Sequence, residues 1–211
     1  MELANDSNNL ADFLRTQPQY LNEARTLAEE ALQLRKTLEP GVAEIWKAYH
    51  LLAQIAEQEA DLSPDSVDQQ QRQQGAREYR RLARDAFRAF PGNKVSLKRF
   101  APLILSVCLC CAATQQAVPW YKPWQRQLVV DSTAHTQARA VVAQYQKALR
   151  QAGPDEKSLA DALDRLLVGE CKAETLCEGL AYDAALIIET ILQGIADPDS
   201  VAWLREDEGT P

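Results

Sequence analysis

Alanine recurs in this chain at the spacing that lets helices lie close together. The pattern is Ala24-x-x-x-Ala28-x-x-Ala31, then Trp46-x-x-Tyr49-His50-x-x-Ala53, then Ala76-x-x-Tyr79-x-x-x-Ala83-x-x-x-Phe87. Residues three and four apart share one face of a helix. A small side chain on that face admits a neighbouring backbone that a leucine would hold off. Three successive segments under this constraint read as antiparallel helices stacked into α-hairpins, the unit of a helical repeat, and leave little room for a sheet. The rest of the chain agrees. Ala, Leu, Gln, Glu and Arg, all good helix formers, dominate it, and only 8 of 211 residues are Gly and 10 are Pro. The fold class expected is all-α.

Helix signals divide the chain further. A short helix is expected over Asn9–Thr16, ending before Pro18. A second runs Tyr20–Leu38 and a third Val42–Ala60, separated by the Glu39-Pro40-Gly41 turn. The polar stretch Asp68–Gln74 reads as an exposed loop or a frayed extension of a fourth helix, Gln71–Phe90, which stops at Pro91-Gly92. A fifth, apolar on most sides, spans Val95–Thr114, and a Pro- and Trp-containing connector follows. A sixth helix runs Thr133–Gln151. A seventh starts at Ser158, where Asp161 three residues on resembles a capping box, and the last strong helix is Tyr182–Ile195. The domains expected are a repeat region over 1–115, a connector over 116–132, a C-terminal helical module over 133–206 and a disordered tail over 207–211.

Charge limits the function classes. The net charge is −7, unevenly placed: Pro64–Phe100 carries +5, whereas Gly153–Pro211 carries −10. The acidic end argues against a general nucleic-acid binder, and the basic middle keeps that option open locally. The longest apolar stretch, Ala101–Ala113, is about 13 residues and too short for a bilayer, which needs about 20. No leader-like basic and apolar start is seen. Five cysteines without a regular framework suit a reducing, cytoplasmic setting.

Side chains able to do chemistry do not converge. His50 falls on an apolar helical face, and His135 near a helix start reads as exposed. Cys108, Cys110 and Cys111 lie inside an apolar helix, where they read as small hydrophobes and not as a zinc set. No phosphate loop is present. No catalytic residue, metal site or cofactor is expected. Two stretches are candidate partner surfaces. The first is the basic stripe Arg77, Arg80, Arg81, Arg84 and Arg88. It reads as a solvated face, as a dock for an acidic protein surface (this chain's own tail or a twin copy), or as a phosphate-backbone contact. The second is the aromatic loop Trp120, Tyr121 and Trp124, which either covers the fifth helix or offers an anchor to a partner.

The region Tyr20–Phe90 resembles tetratricopeptide repeats of the longer-linker kind seen in kinesin light chains and many bacterial signalling proteins. Trp46 and Tyr49 match the aromatic positions of the first repeat helix. Ala24 with Ala31, and Ala76 with Ala83, match the Ala pairs of the second. His50 departs from the Gly or Ala usual at its position, and the Ala24-to-Ala76 period is 52 residues against roughly 34 in the repeat. About one and a half repeats are recognisable, a third of the chain. Residues Ala162–Glu170, Leu176–Leu180 and Asp183–Ile195 are similar to a short helical tail that follows such arrays in large bacterial proteins.

The resemblance implies a short tetratricopeptide-like solenoid with a C-terminal helical cap. It implies a binding role without enzymatic activity: a protein–protein interaction module, adaptor or regulatory subunit of a bacterial signalling or defence complex. Its groove-facing residues would be Glu44, Lys47, Leu51 and Gln54, suiting a peptide or helix from another protein. A homo-oligomer stays open, and no membrane partner is expected. The alternative function is a nucleic-acid-binding accessory protein using the basic face of residues 71–90.

Overall fold

The computed structural model describes residues 2–39, 43–115 and 132–205, and every regular element among them is a helix. None is long and apolar enough to cross a membrane. The described residues fall into two compact units. The first holds the chain up to Asn93 together with Ala181–Asp183, and the second holds Lys94–Leu180 and the chain from Ala184 on. The apolar helix that the sequence groups with the repeat region therefore packs within the second unit.

In the first unit, α1 (Glu2–Arg15), α2 (Leu21–Lys36), α3 (Ile45–Leu62) and α4 (Ser66–Ala89) each pack on the next in sequence, and α1 also touches α3. The alanines sit where the sequence places them. Ala24, Ala28, Ala31 and Ala53 are wholly buried, and Ala76 and Ala83 are nearly so. One core cluster joins Ala11 of α1, Leu21, Ala24, Ala28 and Leu32 of α2, and Ala48, Leu51, Leu52 and Ile55 of α3. Aromatic rings close the other side of α3: Trp46 lies 4.4 Å from Phe90 and 5.2 Å from Phe87, centroid to centroid. Such tilted pairs favour the quadrupoles of both rings. His50, half-buried, meets the Tyr182 ring edge-on at 5.3 Å, a packing role as its apolar face suggested.

Several boundaries differ from the sequence reading. The first helix begins at Glu2, seven residues earlier than Asn9, because Ala4 and Ala11 both reach the core. Of the two readings of the Gln-rich stretch, loop or extension of the fourth helix, it is the helix extension. Asp65 caps α4, its Oδ1 accepting from the Val67 N–H at 2.8 Å, and Arg72 on the next turn is held by Asp68. In the second unit the expected fifth helix is broken. The six-residue α5 (Asn93–Lys98) precedes α6 (Ala101–Gln115), which carries Pro102 at its first turn, where a missing N–H costs nothing. Then come α7 (Ser132–Gln151), α8 (Pro154–Leu167), α9 (Ala173–Leu176), α10 (Tyr182–Ala196) and a 3-10 helix, Pro198–Leu204. Helix α8 starts at Pro154, not Ser158. The Ser158 hydroxyl donates back to the Pro154 carbonyl at 3.0 Å and caps nothing.

Within the second unit, α6 packs on α7 and α7 on α8. Helix α10 is the most thoroughly buried, with Ile187, Ile188 and Ile191 at 2% exposure or less. Gly194 gives it room. A Cβ there would lie 2.8 Å from Cys108 Sγ and 2.9 Å from Val201.

Candidate functional site

The first unit concentrates charge inside its helix contacts. Glu59 on α3 is 7% exposed, and two guanidiniums reach its carboxylate. Arg25 of α2 donates to it through Nε and Nη2, at 2.9 and 2.5 Å, and Arg72 of α4 donates at 2.7 Å. Asp68 continues the chain, accepting from Arg72 at 2.8 Å and from the Ser63 hydroxyl at 2.7 Å. These bonds hold the Asp68 carboxyl below the usual carboxylate range. The bond to Glu59 raises the Arg25 guanidinium above its ordinary range. One buried anion thus ties three helices together. Its partners lie 34 and 13 residues away in sequence, separations that helical periodicity does not report.

A second buried charge sits at the turn before α3. Arg35, at 1% exposure, donates to the carbonyls of Ala43 at 3.0 Å and Glu44 at 3.3 Å, and to Asn5 Oδ1 at 2.7 Å. It pins a strained residue: Glu44 adopts φ 40°, the left-handed region that costs a side-chain-bearing residue of order 1 kcal/mol.

The groove candidates do not share one accessible face. Lys47 is exposed, and its Nζ lies 2.5 Å from Glu44 Oε2. Glu44 and Gln54 are half-buried. Leu51 is a correction: at 3% exposure it belongs to the core cluster with Ala11 of α1. A helix that begins at Glu2 covers the side of α3 that the resemblance leaves open.

The basic stripe is likewise divided by its partners. Arg80 turns toward α3 and grips Glu57 through two bonds, 2.6 and 2.8 Å. Arg81 is held by Glu78 at 2.5 and 3.0 Å and faces Asp85 at 3.3 Å. Arg88 reaches Asp85 at 3.5 Å. Arg77 is exposed and Arg84 half-buried. Three carboxylates therefore answer much of the stripe, which weakens its field for a phosphate backbone. Trp120, Tyr121 and Trp124 lie outside the described residues, as do most of the 116–132 connector and the 207–211 tail.

Comparison with protein-family models, with curated proteins and with solved structures finds no match to this chain.

The three thiols of α6 are shielded by their environment. Burial pushes the Cys108 and Cys111 thiols up to about 11, with each neighbouring thiol adding a smaller push. Burial raises Cys110 too. All five cysteines are free, and Cys171 is the exposed one. Among the described residues no group of three His, Cys, Asp or Glu side chains could hold a metal ion. His135 is half-buried where the sequence suggested exposure. In the folded chain at neutral pH, iodoacetamide should label Cys171 at least about tenfold faster than Cys108 or Cys111. Equal labelling rates by peptide mass mapping would contradict this assignment. The stability that these two neutral buried thiols support is complete below about pH 9, the ordinary thiol value, and falls as pH rises toward about 11.

Proposed function

We propose that the chain is a protein–protein interaction module, an adaptor or regulatory subunit, whose helices α1–α4 form a short tetratricopeptide-like solenoid capped by the C-terminal helices. Support for the solenoid comes from nearest-neighbour packing of α1 to α4, from the α1–α3 contact, and from burial of the alanines at the helix contacts.

One observation carries the functional reading. Leu3, Leu10 and Phe13 on α1 are 64%, 48% and 63% exposed. At spacings of seven and three they share one face. Ala4 and Ala11, one residue on and about 100° further round the helix, are the side chains that α1 buries. Large apolar side chains aligned and left in water mark a partner surface more often than a solvated one. Exposed Asp6 falls within the stripe and Glu2 at its edge, whereas Asp12 faces away and is held by Arg15 at 2.7 Å. The partner that fits is an amphipathic helix with apolar residues at helical spacing and a basic residue placed to meet Asp6.

The test is capture of partner proteins by the tagged full chain, compared with a Leu10→Glu, Phe13→Glu variant. Because both residues are exposed, the variant should melt within a degree or two of the wild type, while specific capture falls by about tenfold or more. Capture that survives this change sinks the reading. Capture of nucleic acid that collapses steeply between low and moderate salt would favour the basic face instead.

A further inference from the structure

The α2–α3–α4 bundle has two unlike ends. At one of them α3 turns into α4. Leu62, the last residue of α3, is 56% exposed, and Val67, in the first turn of α4, is 69% exposed. Exposed Asp61 and Asp65 stand next to this turn, and no Lys or Arg occurs between Lys47 and Arg72. Arg72 itself is taken up by Glu59 and Asp68. This end is an apolar tip with an acidic rim.

The other end is hollow. The end of α2, the start of α3 and the end of α4 surround a cavity of about 260 Å³. Leu38, Ile45, Trp46, Ala86, Ala89 and Phe90 give it apolar walls. Arg35 is buried, at 1% exposure, so the cation that this cavity offers outward is exposed Lys36. Among the described residues no acidic side chain lines it; Glu39 and Glu44 are close in sequence but outside the lining. The cavity falls below the usual range of ligand pockets, about 300–1,000 Å³, and suits one or two aliphatic side chains.

Leu62 lies sixteen residues along α3 from Trp46, about 24 Å, so a chain cannot seat its own tip in its own cavity. We propose that copies of this chain associate head to tail. Leu62 and Val67 of one copy enter the cavity of the next, and Asp61 and Asp65 meet its Lys36. Apolar surface leaves water on both sides of the contact, and the charges of the two rims attract. Each added copy keeps a tip or a cavity open, so the contact is heterologous and closes into a ring or continues as a row. Two seated side chains make a small interface, and the association is weak, with a Kd on the order of 100 µM. The contact is separate from the α1 stripe and does not rest on the reading of that stripe.

Sedimentation equilibrium of the full chain between about 10 and about 500 µM brackets that Kd. The weight-average mass should rise with concentration from the 23.5 kDa of the monomer. A tip variant, Leu62→Asp with Val67→Asp, and a cavity variant, Lys36→Glu with Ala89→Glu, change only exposed positions, so both should fold and melt close to the wild type. Each alone should associate at least about tenfold more weakly. Mixed in equal amounts they should form a dimer and nothing larger, because the first still offers a cavity and the second a tip. The Leu10→Glu, Phe13→Glu variant of α1 should associate as the wild type does. A wild-type mass that stays constant overturns the proposal. So does undiminished association of the tip or the cavity variant, a mixture that stays monomeric, or loss of association in the α1 variant.

Discussion

Glu59→Ala is expected to lower the unfolding free energy by about 3 kcal/mol. The substitution removes the anion on which Arg25 and Arg72 converge, and it removes it from a position 7% exposed. Breaking a buried ion pair from one side costs about 3–5 kcal/mol, because the remaining charge is stranded. Here both guanidiniums are partly exposed, with side chains at 28% and 38%, so they can turn to water and the loss stays near the lower figure. Arg72 also keeps Asp68 as a partner at 2.8 Å. Urea unfolding followed by circular dichroism measures the change. A double-mutant cycle with Arg25→Ala separates the pair from the packing: the two losses should add to clearly more than the loss in the double variant. A cost under about 1 kcal/mol, the range of exposed pairs, would show that the cluster is only a surface network.

Ala28→Leu is expected to destabilise the chain by a similar amount, about 3 kcal/mol, the upper part of the range for overpacked cores. On helix propensity alone the exchange is nearly neutral. Its cost comes from the neighbours. Ala28 is wholly buried, in a cluster with Ala11, Ala24 and Ala48, which are also wholly buried and equally small. Added methyl groups must part α2 from the helices packed on it or force strained rotamers. Thermal melting of Ala28→Leu beside Glu30→Leu, an exposed position on the same helix, is the comparison. Equal melting temperatures would mean that the close approach of these helices is not what the alanines provide.

Much of the architecture is legible from periodicity. Apolar residues at helical spacing place α2, α3, α7 and the end of α4 within a few residues, since each of these helices buries one face, and the apolar run of α10 places that helix as well. Where the reading failed, a local signal lost to a distant partner. The Gln-rich start of α4 looks polar on all sides, but an Asp65 cap and the hold of Glu59 on Arg72 keep it helical. The start of α1 has few apolar residues, and Ala4 gains its place only from the core it enters. Pro102 was visible inside the expected fifth helix; taking it as a helix start would have found the break between α5 and α6.

The candidate surfaces were less legible, because exposure depends on the other helices. Leu51 and Lys47 are four residues apart on one helix, yet one is core and the other solvated. In the same way Arg80 and Arg81 are neighbours in sequence, but only Arg80 reaches across to Glu57 on α3. No spacing rule separates these pairs.

The order of apolar, small and charged residues by itself fixed that this chain is helical and which alanines must meet other helices, because both follow from the turn of a single helix and the reach of a side chain along it. Only the tertiary structure decided which charges are buried, that Arg35 stands beside an open cavity, and that α1 rather than α3 presents the unburied apolar stripe. Burial and charge pairing arise from residues brought together across the chain, and a helix carries no record of what will be packed against it.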